Sequence, residues 1–209
     1  MGDERAKAVP LYLAWLGTLC GGVLILLSDA LPVRLGFVRP DTFFVCLTEI
    51  EVAFVLFVWP LFIPSLLSPV AARRGVRLLL DVAVLLVAAL PLDLIAANIS
   101  NVDLAAFFRA RAVVGSVAAF AAALAGWATG RWRQVGPWFV LGAFAVSAML
   151  PFLAFILPGA DLAWLASVSP FWAAARLDTS PPLMLAAILG ALTALLLAAS
   201  VRAPKAAAA

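Results

Sequence analysis

The chain has 209 residues, 66% of them hydrophobic and 12% charged, with 14 Lys and Arg against 11 Asp and Glu for a net charge of +3. Soluble domains carry roughly 25% charged residues, and so few charges cannot give this much Leu, Ala, Val and Phe a water-compatible surface. An integral membrane protein is expected. The absence of histidine excludes bis-His haem ligation, a Ser-His-Asp triad, a His-based zinc site and an imidazole proton shuttle. Cys20 and Cys46 lie in apolar stretches and form no CxxC pair, so they are expected to act as packing residues. The basic residues are spread thinly, without the stripe that follows a phosphate backbone, so no nucleic-acid partner is expected.

A helix that crosses hydrocarbon needs about 20 mostly apolar residues. Six runs of that kind are expected, over residues 11–28, 43–67, 78–99, 104–129, 137–157 and 182–201. The fold class is therefore all-α, a polytopic six-span bundle. No segment between the runs is long enough to fold separately, so residues 1–209 form one transmembrane domain. The first run follows Arg5 and Lys7 and precedes the small residues Ser28 and Ala30, yet it exceeds a signal-peptide core and is expected to stay as a span. Ala6 stands where a myristoylation motif needs Ser or Thr. The boundary between the third and fourth spans is the least sharp, because Asn98, Asn101, Asp103, Arg109 and Arg111 crowd it.

Orientation follows from Lys and Arg, which cytoplasmic loops retain. With the N-terminus inside, Arg5, Lys7, Arg73, Arg74, Arg77, Arg131, Arg133, Arg202 and Lys205 are cytoplasmic, whereas Asp29, Asp41, Asp103, Asp161 and Asp178 balance the outer arginines. Both termini are then cytoplasmic, and Trp127, Trp132 and Trp138 flank an inner turn at headgroup level. Basic residues that are nearly all Arg, with abundant Ala, point to a GC-rich bacterial genome and an inner-membrane location.

The outer connection before the last span is the most informative stretch. Asp161 is placed to cap a short helix over 162–168, and Ser169-Pro170 is an N-cap followed by Pro at the first position of a second over 171–177. Trp164, Leu165, Phe171 and Trp172 are too apolar for water, so the pair either lies in the interface as a loop or folds back between the spans as a re-entrant hairpin that gates a path. Six spans with this hairpin, "WLASVSPFWAAARL", and the second span's exit, "VWPLFIPSLLSPVAARRG", resemble the permease subunits of exporter-type ABC transporters. The resemblance implies a membrane subunit that pairs with a like chain and takes its energy from a separate cytoplasmic ATPase. Permeases of that family usually have an amphipathic helix before the first span and a longer coupling helix after the second, whereas here only residues 68–77 separate the second and third spans. Arg73, Arg74 and Arg77 are the candidate docking residues, with positive-inside anchoring as the simpler reading.

Intramembrane acids are functional candidates because an unpaired charge in hydrocarbon costs several kcal/mol. Glu49 and Glu51 lie about two turns into the second span and point about 200° apart, so they do not converge on one ligand. Either one faces the bundle while the other snorkels, or one pairs with Arg34 or Arg39; a transport or proton-relay role is the functional alternative. Asp93 lies within reach of Arg109 or Arg111 for a structural ion pair, and Asp81 stands four residues after Arg77. Pro60, Pro64, Pro91 and Pro151 interrupt spans, and the carbonyls they free either line a cavity or shape packing. Gly17 with Gly21, and Gly126 with Gly130, have the spacing for close helix contacts, within the chain or with a partner.

No GxxxxGK[ST], GxSxG or protease-like carboxylate pair occurs, so the chain is expected to be no enzyme and to need neither metal nor cofactor. A transporter permease is the leading expectation, with membrane lipid, other membrane subunits in a homo- or hetero-oligomer and an ATPase as partners. The rivals are an accessory subunit of a respiratory or photosynthetic complex and an ion-coupled carrier, the latter without the internal repeat such carriers show.

Overall fold

The computed structural model describes residues 9–27, 42–66, 74–128, 131–156, 167–177 and 181–206. Among these the chain is helical, with no strand. Helix α1 is Val9–Leu27; α2 covers residues 43–66 as Phe43–Ala53, a π-helical turn Phe54–Val58, and Trp59–Leu66. Helix α3 is Arg74–Ile99 and α4 is Leu104–Trp127. Helix α5 covers residues 132–156 as Trp132–Phe144, a second π-helical turn Ala145–Met149, and Leu150–Ile156. The short α6 is Pro170–Ala175 and α7 is Pro181–Ala206.

Five segments are long and apolar enough to cross a membrane: Phe43–Phe62, Arg77–Ile99, Leu104–Trp127, Trp132–Leu153 and Pro182–Ala199. Val9–Ile25 is apolar but shorter. Several helices outrun the apolar windows. Helix α3 begins at Arg74 and α7 ends at Ala206, because apolar length measures hydrocarbon width, whereas Arg, Ala and Lys continue a helix beyond it. Helix α5 begins at Trp132, upstream of Pro137, whose missing N–H leaves the Arg133 carbonyl near the helix start without its helical donor.

Helix α4 is the axis of the bundle, packed most extensively on α7 and α3, and α2 touches α1, α3, α4 and α6. Its buried face is mostly alanine and valine, from Ala110 and Val113 through Ala118 and Ala122 to Ala125, which lets neighbouring backbones approach closely. The core adds large side chains around that axis: Trp15, Trp59, Phe44 and Phe54 are fully enclosed, and Trp15 meets Phe54 edge to face at 4.8 Å.

The crowded junction between α3 and α4 resolves into two local signals. Asn101 has φ +50°, the left-handed conformation Asn tolerates, while Val102 N–H donates to Ala97 and Asn101 N–H to Asn98, the two bonds of a Schellman turn. Asp103 then caps α4, accepting from Ala106 N–H at 2.5 Å.

Prolines shape α2 and α5. Each π-helical turn stops two residues before a proline, at Val58 before Pro60 and at Met149 before Pro151. Trp59 N–H reaches back to Phe54 and Leu150 N–H to Ala145, so the ladder widens by one residue just where the pyrrolidine ring would collide with it. A proline cannot donate to the carbonyl four residues earlier, so Pro64 leaves Pro60, and Pro151 leaves Ser147, without that bond. Trp132 Nε1 donates to Pro60 O at 3.2 Å, and Ser169 Oγ donates to Ser147 O at 3.1 Å. Gly136 makes the first possible: a Cβ there would stand 3.2 Å from the Trp132 ring nitrogen, tighter than nearly all real contacts.

Of the glycine pairs, Gly126 is half-buried on α4, and Gly130 lies outside the described residues. A Cβ at Gly17 or Gly21 meets nothing within 4 Å among the described residues, whereas one at Gly22 would lie 2.9 Å from Ile50 Cδ1. The close approach of α1 to α2 is therefore made at Gly22. Gly22→Leu is expected to destabilise the purified protein by about 1–3 kcal/mol through overpacking, while Gly17→Leu and Gly21→Leu stay within about 0.5 kcal/mol. Thermal unfolding in detergent measures the difference, and equal losses at all three positions would contradict this placement of α1.

Candidate functional site

The strongest concentration of chemistry lies where α2, α3 and α4 meet. Glu51 and Asp93 have no solvent-exposed surface, and both contact one guanidinium. Arg111 Nη2 donates to Glu51 Oε2 at 2.5 Å and its Nη1 to Glu51 Oε1 at 3.0 Å, a two-pronged fork, while Nη1 also donates to Asp93 Oδ2. The Arg111 side chain is only 13% exposed.

The backbone brings these three together by register. Ser100, at the end of α3, accepts a hydrogen bond from Phe44 N–H at 2.9 Å, which fixes the first turn of α2 against the α3–α4 turn. Asp93 stands seven residues before Ser100 and Glu51 seven after Phe44, each two helical turns or about 10 Å from that anchor. Arg111 stands seven residues into α4, counted from Leu104, and so reaches the same level from the third helix.

Two aromatic rings close the side facing the α3–α4 turn. Phe44 and Phe107 stack at 5.8 Å, and the guanidinium carbon lies 5.9 Å from the first ring and 5.8 Å from the second. A cation over ring faces gains about 2 kcal/mol when desolvated. Asp93 Oδ1 and Arg111 Nε are buried without a partner. Two carboxyl groups facing one guanidinium leave one surplus negative charge when all are ionised, and a single proton shared between Glu51 and Asp93 makes the cluster neutral. Among the described residues no group of three or more Cys, Asp or Glu is placed to hold a metal ion.

Asp93 therefore pairs with Arg111, the second of its two sequence candidates. Arg109 Nε donates instead to Ala105 O on its own helix at 3.2 Å. Glu51 is the acid that faces the bundle, and its partner is Arg111; Arg34 and Arg39 lie outside the described residues. Glu49, on the opposite side of α2, is half-buried and stands apart from the cluster. The convergence of Glu51 and Asp93 on one arginine is the feature that spacing along the chain does not display, because its members are 60 and 18 residues apart.

The second concentration surrounds α6. Ser169 caps it, accepting from Trp172 N–H at 3.4 Å while donating to Ser147 O, so one hydroxyl both starts α6 and ties it to α5. Ser169 and Pro170 are buried, Phe171 and Trp172 half-buried, and α6 packs on Phe43–Ala53, α4, α5 and α7. Arg176 lies 5.0 Å from the Trp172 ring. Asp161 and Trp164 lie outside the described residues, as does Arg73. Arg74 opens α3, and Arg77 is exposed one turn along it.

Arg111→Met is expected to destabilise the protein by about 3–5 kcal/mol, because it strands two buried carboxylates. Asp93→Asn removes the surplus charge and is expected to cost at most about 1 kcal/mol, and the triple change Glu51→Met, Asp93→Leu, Arg111→Met to cost less than Arg111→Met alone. Thermal unfolding in detergent gives the order, and a milder Arg111→Met than Asp93→Asn would contradict the charge balance.

Compared with protein-family models, curated proteins and solved structures, the chain matches none.

Proposed function

We propose that this chain is the membrane-spanning permease subunit of a transport complex, with six spans, both termini in the cytoplasm and energy supplied by a separate ATPase. The observation that carries the reading is the placement of α6. Its N-cap bonds α5 at Ser147, nine residues or about 14 Å from the end of α5 at Ile156. Its buried face contacts the half of α2 that bears Glu51. A segment that enters between the spans to that depth suits a gate better than a surface loop. With the bundle oriented by its basic residues, α6 and the Glu51–Arg111–Asp93 cluster belong to the outer half, and Arg73, Arg74 and Arg77 to the face that an ATPase would dock.

A second reading, an accessory subunit of a respiratory or photosynthetic complex, is favoured by the lightly covered flank. Only 11% of the best apolar window in Trp132–Leu153 and 17% of that in Pro182–Ala199 are buried within the chain. Another subunit would cover such a flank, and Gly17 and Gly21 offer a further close-approach surface.

Purification from the native membrane in mild detergent separates the two. The permease reading expects a stoichiometric nucleotide-binding protein and no chromophore in the absorption spectrum. It expects Arg73→Ala, Arg74→Ala and Arg77→Ala together to release that protein while the chain remains in the membrane, and Glu49→Gln to leave transport unchanged. Cytochromes or pigments arriving in its place would overturn it and establish the accessory reading.

A further inference from the structure

A groove of about 680 Å³ runs between α2 and α5 at the end of the bundle where α4 turns into α5. Pro60 and Leu61 line it from α2, and Pro137, Leu141 and Phe144 from α5. Trp132 bridges the two helices through its bond to Pro60 O, and Trp132 and Gly136 are buried, so they close the groove from below. Leu61, Leu141 and Phe144 are 73%, 56% and 52% exposed, so its open side faces hydrocarbon.

Arg133 is the one charged residue in the lining, and it is exposed. No acidic residue occurs between Glu51 and Asp81 or between Asp103 and Asp161. The groove half of α2 and the whole of α5 therefore offer it no counter-charge, and Arg131, also exposed, stands two residues earlier. The apolar span of α5 is Trp132–Leu153, which puts Arg133 in its first turn. Trp127 and Trp138, both exposed, flank that turn as rings do at headgroup level. Phe144 lies eleven residues or about 16 Å further along α5, close to half of the roughly 30 Å of hydrocarbon in a bilayer. The groove thus runs from the headgroup boundary to the bilayer centre, the depth of one leaflet.

We propose that this groove binds one anionic phospholipid, with an acyl chain laid along α5 from Pro137 to Phe144 and its phosphate at the Arg133 guanidinium. Charge and length together fix the class. Basic pockets between spans select anionic headgroups, and here the ammonium of a zwitterionic lipid would face Arg131 and Arg133 with no carboxylate to receive it. An apolar wall one leaflet deep and open to hydrocarbon suits an acyl chain, which a soluble phosphate lacks. The site does not depend on the permease reading.

The test uses the full chain in mild detergent, with native mass spectrometry reading the retention of phosphatidylglycerol and phosphatidylcholine of identical acyl chains. One phosphatidylglycerol per chain is expected to be held in preference to phosphatidylcholine. Arg133→Gln should weaken phosphatidylglycerol about fivefold, the effect of one arginine at a membrane surface, and leave phosphatidylcholine unchanged. Arg109→Gln, near the far end of α4, should alter neither. Leu141→Ala with Phe144→Ala should weaken both lipids alike, because it shortens the wall and spares the charge. Phosphatidylglycerol carrying a mid-chain diazirine should label Val140, Leu141 and Phe144, which locates the site with no substitution at all. Equal retention of the two lipids, an unchanged preference in Arg133→Gln or labelling spread along the flank would identify ordinary boundary lipid and overturn the proposal. Displacement by glycerol phosphate would assign the arginine to a soluble anion, and a lipid-free dimer that shields these residues would assign the groove to a second copy; either also overturns it.

Discussion

Inside hydrocarbon a carbonyl that loses its helical donor has no water to turn to, and that constraint organises this bundle. Prolines lie inside several of its apolar helices, and for two of them, Pro64 and Pro151, a side chain from another element meets the carbonyl set free. Pro64 frees the carbonyl of Pro60, and Trp132 at the start of α5 supplies the donor; Pro151 frees that of Ser147, and Ser169 at the start of α6 supplies it. Trp15 adds a second indole bond between helices, from α1 to Leu85 on α3 at 3.0 Å. Each bond fixes how far one helix slides along its neighbour, something that apolar packing between smooth alanine faces specifies poorly. The same widening that relieves the proline clash in α5 also takes Ser147 out of the ordinary helical register.

The charge cluster applies the same rule to side chains. Arg111 in an apolar helix is tolerable only with its charge matched, and two carboxyl groups from different helices match it. Their levels agree because a single bond, Phe44 N–H to Ser100 Oγ, sets α2 against the α3–α4 turn two turns away. A shift of one residue in either helix would rotate Glu51 or Asp93 by about 100° and leave a buried charge alone. A buried cluster of this kind contributes little net stability against an apolar replacement. Its effect is to exclude alternative alignments of α2, α3 and α4.

The sequence made the helices legible, because span length and apolar composition follow directly from the thickness of hydrocarbon. Ser169-Pro170 carried the start of α6, since an N-cap signal acts within four residues, whereas Asn101 and Asp103, which form the α3–α4 turn and cap, only marked an unsharp boundary in the sequence. Pro60, Pro64 and Pro151 announced unsatisfied carbonyls as well. What distant partners would do was not legible. Nothing near Pro64 points to Trp132, and the spacing of Glu49 and Glu51 says that they diverge but not which of them meets Arg111. Helix periodicity assigns a residue to a face, whereas the neighbour on that face depends on how helices are ordered around α4. Gly17 and Gly21 illustrate the limit: their spacing permits close approach, yet within the chain the contact falls at Gly22, where Ile50 happens to project.

Magnitudes indicate which part of the bundle yields first in any conformational change. Separating Arg111 from its two acids leaves buried charges unpaired, at about 3–5 kcal/mol, so α2, α3 and α4 move together near that level. Releasing α6 from α5 gives up the single Ser169 to Ser147 bond, and interhelical side-chain bonds in membranes average about 0.6 kcal/mol with a maximum near 1.7. Helix α6 has only six residues and shares its apolar contacts among several neighbours. Its release from α5 gives up less polar bonding than separation of the charge cluster does, and Ser167 and Pro170 form part of the wall of an apolar cavity beside Ser147.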